Sequence, residues 1–281
     1  MNSVLQNIQQ AALIVFLLAS MLALGASIGI REVIAPLRDK RLVALALLLN
    51  FVLSPGFAWM ITAILPLESG HAAGLLLLGG AAGAPFLPKL AEISRATPAA
   101  AAALMILLTA GTLLFLPFVM PWLIPGLSAH PWAIARPLVL MILSPLMAGL
   151  VIKACAPALA GRLAPVLAGT GTACLVVLFV LLVALNIPAL IGVLGSGAIA
   201  AVALYTTGLF TLCWLIVGSR SEFRGILALG TSARNFGAAL VPAVSSFQDP
   251  KVVVMLIVSA IVSLILAFLE ARWVAKRRLP A

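Results

Sequence analysis

The chain has 281 residues, of which 64% are hydrophobic and only 9% charged, and its mean hydropathy is +1.26. Soluble domains are about half apolar and about a quarter charged, and a fold of this size cannot enclose so much apolar surface. This excludes an ordinary soluble enzyme, a disordered chain and a disulfide-built scaffold, and it predicts an all-α polytopic membrane protein. The net charge of +10 does not point to nucleic acid, because the basic residues sit in short stretches between apolar runs with no interleaved aromatics.

A spanning helix needs roughly 20 apolar residues. Nine such segments follow in order: 9–30, 42–65, 71–94, 97–124, 132–154, 164–186, 197–218, 222–246 and 251–272. The stretch MNSVLQNIQQ ahead of the first has no positive charge, so that segment reads as a retained helix and not a signal peptide. The connections are short and leave no room for a soluble domain, so residues 1–281 read as a single transmembrane domain. With alternate loops on opposite sides, thirteen Lys and Arg fall on one side and two, Arg136 and Lys251, on the other. The positive-inside rule then places the N-terminus outside and the C-terminus in the cytoplasm. Lys89 and Arg234 belong to neither set, because they lie inside apolar segments.

Two segments differ from the rest. The third reads GLLLLGGAAGAPFLPKLAEISR, in which Gly79, Gly80 and Gly83 are followed by Pro85, Pro88 and Lys89. Proline removes a backbone donor and clashes with the preceding turn, so the helix is expected to unwind near Gly83–Pro88. The eighth reads ILALGTSARNFGAALVPAV, interrupted by Gly230, Thr231, Ser232, Arg234, Asn235 and Gly237. Each is the second-last segment of its half of the chain. Interrupted segments at matching positions of two halves point to a transporter binding site. Unwound backbone at membrane depth is tolerated only inside protein or beside a wet cavity.

Other polar residues say less. Cys155, Cys174 and Cys213 fit no metal spacing and read as small apolar packers. His71 and His130 fall in separate outer loops and form no metal pair. Thr170, Thr172, Thr206 and Thr207 read as helix–helix contacts, and the five Trp mostly as interfacial anchors. The acids Glu32, Asp39, Glu68, Glu92, Glu222, Asp249 and Glu270 all miss the middle of a segment. No histidine lies in a span and there is no DDxxD, so neither an intramembrane protease nor a prenyl transferase is expected.

These two segments resemble the bile acid:sodium symporter family, and the resemblance covers nearly the whole chain. MLALGASIGIREVIAPLRDKR resembles the family's first helix exit, and LLLNFVLSPGFAWM its QFxxMPxxA helix. GLLLLGGAAGAPFLPKLAEISRAT lies without gaps on GxxLxGCCPGGTASNxxTYLARGN, and GTSARNFGAALVPA resembles EVGxQNSGLAxALA. The resemblance implies inverted repeats with two discontinuous helices crossing in a core domain beside a panel domain. Residues 1–124 would be a first repeat lacking one helix and 132–273 the second. It further implies secondary transport of organic anions, such as bile salts, steroid sulfates or pantoate, by alternating access in a bacterial inner membrane.

The departures concern the ion sites. Leu87 and Pro88 stand where the family has a Ser-Asn pair of sodium ligands, and Ala101 and Met105 where it has hydroxyl ligands. Gly230 stands in place of a central Glu and Arg234 in place of a Gln; Asn50 is kindred to the Gln of the second helix, and Asn235 is kept. No cofactor is expected, and sodium has lost most of its ligands. The residues expected at the substrate are Arg234, Asn235, Lys89, Thr231, Ser232 and Asn50, with Gly83, Pro85, Pro88 and Gly230 shaping the crossover backbone. The expected partners are a small organic anion and the lipid bilayer, with the oligomeric state open. An exporter of arsenite or another small solute on the same fold, and a non-transporting membrane sensor, remain as alternatives.

Overall fold

The computed structural model describes residues 2–124, 131–185, 187–218 and 223–277, and every regular element among them is helical. His130, one of the two histidines singled out above, lies outside the described residues. The chain opens with α1 (Asn2–Ser27) and a short helix α2 (Ile30–Leu37). Then come α3 (Lys40–Leu48), a π-turn (Leu49–Leu53) and α4 (Ser54–Ile64), which run on as one long helix. The half-helices α5 (Ser69–Gly80) and α6 (Leu87–Ile93) precede α7 (Pro98–Leu123). Next are α8 (Pro131–Leu138), a second π-turn (Val139–Leu143), α9 (Ser144–Cys155), α10 (Pro157–Leu185) and α11 (Ile187–Gly192). The chain closes with α12 (Ala198–Val217), the half-helices α13 (Arg224–Ser232) and α14 (Phe236–Ser246), and α15 (Pro250–Arg277).

Among the described residues, six helices are long and apolar enough to cross a membrane: Val4–Ser27, Lys40–Ile64, Pro98–Leu123, Pro157–Leu185, Ala198–Val217 and Pro250–Arg277. The protein is therefore a multi-pass membrane protein. The third and eighth expected segments are each split in two. The first break covers 81–86 and the second 233–235. The sixth segment begins earlier than expected, at Pro157, because proline is well placed in a first helical turn.

The two π-turns have one cause. Each is followed by Ser-Pro within the same tripeptide, Leu53-Ser54-Pro55 and Leu143-Ser144-Pro145. The proline has no N–H to close the ordinary ring. The turn widens, and Ser54 N–H bonds Leu49 O while Ser144 N–H bonds Val139 O. The first π-turn carries Asn50, which it turns into the interior.

The helices fall into two packing groups. α1 lies along α9 and α10, while α5, α12, α13 and α15 pack on one another and on their neighbours α4, α6, α7 and α14. Small residues allow the first group to close, as they do between membrane helices generally. A Cβ at Gly25 would strike the α9 backbone at Leu146, and one at Gly149 would strike the α1 backbone at Leu22. The apolar core forms two lobes, the first of which also takes in Leu17 of α1 and Leu146 of α9. One contains Leu78, Tyr205 and Ala238; the other contains Leu87, Leu104 and Leu229. The helix breaks lie between them.

One expected loop residue is internal. His71 sits in the first turn of α5 and is only 4% exposed, because α5 starts at Ser69 and packs against α15. The same end is tied by an exposed ion pair between Glu68 and Lys251. That contact holds the Glu68 carboxyl below its ordinary value, through the hydrogen bond and charge of Lys251.

The α1–α9 contact is backbone against backbone, so it cannot absorb a larger side chain. Gly149→Val is expected to destabilise the protein by about 1–3 kcal/mol, read as a lower midpoint of thermal unfolding in detergent. An unchanged midpoint would mean that the two helices do not approach so closely.

Candidate functional site at the crossed helix breaks

A helix end leaves four carbonyls or four N–H groups without intrahelical partners. Each break therefore exposes backbone polar groups in the middle of the bundle, where lipid offers none in return. The structure meets this demand with side chains from the second break itself, from α4 and from α7. Arg234 is the centre. It is 0% exposed, and its guanidinium makes four hydrogen bonds. Nε donates to Leu78 O at 3.1 Å, and Nη2 to Gly79 O at 2.6 Å. Nη1 donates to Asn50 Oδ1 at 2.7 Å and to Thr231 O at 3.3 Å. Leu78 and Gly79 end α5, and Thr231 ends α13. A cation thus sits where two half-helix C-termini, each with partial negative charge, converge.

The surrounding residues finish the accounting. Asn50 Nδ2 donates to Ala46 O at 3.0 Å and to Thr231 Oγ1 at 3.2 Å. Ser54 Oγ donates to Gly79 O at 2.8 Å and lies 2.7 Å from Tyr205 Oη, whose proton it accepts. Asn235 joins the two breaks: its backbone N–H reaches Ala81 O at 2.9 Å and its Nδ2 reaches Gly83 O at 3.1 Å. Its Oδ1 caps α14 by accepting from Ala238 N–H. On α7, Thr112 Oγ1 accepts from Ala82 N–H and donates to Ala82 O, and Thr109 donates to Gly83 O. Gly83 has φ 82°, and a Cβ there would lie 2.6 Å from Thr109 N, so only glycine fits.

The expected site residues separate. Arg234, Asn235, Thr231 and Asn50 meet in one hydrogen-bonded layer. Ser232 is buried next to it but turns to Glu270 on α15, to which its hydroxyl donates at 2.8 Å. Lys89 leaves the set. The break lets α6 start afresh at Leu87, and the Lys89 ammonium emerges 67% exposed, paired with Glu92 at 2.6 Å. Burying a cation costs several kcal/mol, so a lysine that can reach the surface and an acid three residues on does so. Pro85 lies in the break and Pro88 in the first turn of α6. Gly230 packs on hydrocarbon: a Cβ there would meet Leu87 Cδ2 at 3.1 Å and Leu104 Cδ2 at 3.2 Å.

Ser54, Tyr205, Thr109, Thr112 and Glu270 were not among the expected site residues. Thr109 and Thr112 are three apart on a helix of otherwise apolar composition, which is the sequence signal for one polar face. Thr206 bonds Ser263 across α12 and α15, as expected of an interhelical contact, whereas Thr170, Thr172 and Thr207 bond carbonyls of their own helices. Cys174 lies on α10, whereas Cys213 on α12 is buried and its thiol is hydrogen-bonded to Thr231 beside the second break.

Two broken helices that cross and bond through their breaks, in a bundle of apolar spans, define a transporter-like membrane domain. The chain matches the Sodium Bile acid symporter family over residues 14–193, and it belongs to that family. The matched stretch includes the first break and ends before the second. No curated protein matches the chain at a significant level.

A buried acceptor left without its donor costs about 1–3 kcal/mol. Arg234→Ala would orphan several at once and is expected to destabilise the protein by about 3 kcal/mol or more, against about 1–2 kcal/mol for Asn50→Ala. Thermal unfolding of the purified variants in detergent measures both. Equal midpoints for Arg234→Ala and the wild type would show that the guanidinium does not hold the breaks together.

Proposed function

We propose that this protein is a secondary transporter of small organic anions in which Arg234 takes the electrostatic place of a coupling cation. The observation that carries this reading is a fully enclosed guanidinium at the crossing point, hydrogen-bonded to the neutral oxygens of Leu78, Gly79, Asn50 and Thr231. Arginine keeps its proton in proteins. The site therefore holds a permanent positive charge in a medium of low dielectric, where a charge acts strongly on its surroundings. Four of its five N–H donors are committed to the chain, so it attracts an anion as a fixed ion does and not as an open clamp.

The positions that resemble family sodium ligands support the same reading. Leu87, Ala101, Met105 and Gly230 carry no side-chain oxygen, and all but Gly230 belong to the apolar lobe around Leu104. A hard cation needs several oxygens, and this donor set does not fit sodium. Substrate binding would then proceed without it. Alternating access would move the group containing the crossed breaks, as a core domain, against the group of α1, α9 and α10, as a panel domain, each drawing helices from both repeats. The excess of Lys and Arg on one side favours an inner-membrane protein with its C-terminus in the cytoplasm.

A ligand present at roughly a hundred times its Kd raises stability by about 2.7 kcal/mol. Cholate, a steroid sulfate and pantoate are the probes for a thermal-shift measurement, each with sodium and with potassium as the only cation. The expected outcome is a shift from at least one acid in potassium alone, lost in Arg234→Gln, which removes the charge but keeps a polar side chain. Stabilisation by sodium itself, or an acid shift that requires sodium, would sink the fixed-cation reading.

A further inference from the structure

A permanent charge has one thing a bound ion lacks and lacks one thing a bound ion has: it cannot leave. Arg234 can attract an anion but cannot convert an ion gradient into accumulation, because that requires a cation that binds on one side and dissociates on the other. On the reading proposed above, the coupling ion must be held elsewhere.

Glu270 meets the requirement. It lies on α15 two residues before Arg272, and it is only 8% exposed. Its Oε2 accepts from the Ser232 hydroxyl at 2.8 Å, and its buried Oε1 has no hydrogen-bond partner. Ser232 is the last residue of α13, two positions before Arg234, so the carboxyl faces the end of a half-helix about 12 Å along from its start at Arg224. The C-terminal end of a helix repels negative charge.

Among the described residues, no cation is paired with Glu270. On the elements packed against α15, Lys89 and Glu92 of α6 pair with each other in the open. Arg224 of α13 donates to the Trp214 carbonyl and stacks on that ring at 3.9 Å. Arg234 is committed to the crossover carbonyls, and Arg162 of α10 is exposed. On α15 itself, Arg272, Lys276 and Arg277 are exposed, and Lys251 belongs to the far end with Glu68 and His71. Tyr205 on α12 is joined to Ser54. An uncompensated buried carboxylate is costly.

The neutral acid fits the same atoms without loss. Its O–H donates to Ser232 Oγ, and the Ser232 proton turns to Leu229 O, 3.4 Å away. We propose that Glu270 is a proton-binding carboxyl of this transporter. Proton uptake and release there, felt by the crossed breaks through Ser232, supply the coupling that Arg234 cannot. One proton entering with one monovalent anion leaves the transported charge at zero.

The test uses the full chain in detergent and then in proteoliposomes. Dicyclohexylcarbodiimide takes the proton of a buried neutral carboxyl as the carboxylate oxygen adds to its central carbon, and the adduct rearranges to a stable N-acylurea. Mass spectrometry is expected to place that adduct on Glu270 in acid medium, with loss of labelling in alkaline medium and in Glu270→Gln. In proteoliposomes, an inward proton gradient should drive accumulation of labelled cholate, steroid sulfate or pantoate by the wild type, and this should be lost in Glu270→Gln. A Glu270 that resists the reagent in acid medium, or a Glu270→Gln that accumulates acid as the wild type does, overturns the proposal. If the wild type exchanges none of the three acids, the anion-transport reading fails, while the labelling still decides the proton site.

Discussion

Backbone polar groups at membrane depth must find partners within the protein, and two helix breaks at the centre of one bundle make that demand at its most severe. Here a single buried arginine answers it. Carbonyls in the last turns of α5 and α13 converge on the Arg234 guanidinium, and Ser54, Thr109, Thr112 and Asn235 satisfy further backbone groups of the two breaks. A rigid fork with several donors suits this geometry, since one side chain can hold carbonyls from two different helices at once. Were the fork removed, the two breaks would compete with each other for the remaining donors.

Around that polar layer the structure is hydrocarbon. Leu87, Leu104, Ala101 and Met105 fill one side, and Leu78, Tyr205 and Ala238 the other. The layer is therefore a thin polar sheet between two apolar lobes. On the proposed reading, this arrangement separates two tasks that a bound ion performs together. Attracting an anion requires only charge, which Arg234 holds permanently. Responding to a gradient requires a group that can change its charge, and the buried carboxyl adjoining the layer is Glu270, reached through Ser232.

Lys89 and Arg234 show how far the sequence could be read. Both are cations within apolar runs that also contain breaks, and the sequence treats them alike. Their fates differ for reasons of reach and geometry. Lys89 lies on a short half-helix whose flexible ammonium reaches the surface and Glu92. Arg234 lies inside the second break, fully buried, where its partners are the Gly79 and Leu78 carbonyls, 155 and 156 positions away, together with Asn50 and the nearby Thr231 carbonyl. The π-turn that aims Asn50 follows from a local Ser-Pro, yet nothing in the run around Asn50 tells that Thr231 and Arg234 wait opposite.

The sequence by itself determined the membrane class, the approximate bounds of six of the nine expected spans and the location of both interruptions. Those properties follow from local composition, from apolar run length and from the missing N–H of proline and the freedom of glycine. Only the tertiary structure decided which polar residues share a site. It brought Asn50, Thr231, Arg234 and Asn235 into one layer, sent Lys89 to the surface and set Ser232 against Glu270. The reason is that hydrogen-bond partners at a helix break come from other helices, and the spacing of residues along one helix carries no record of what packs across from it.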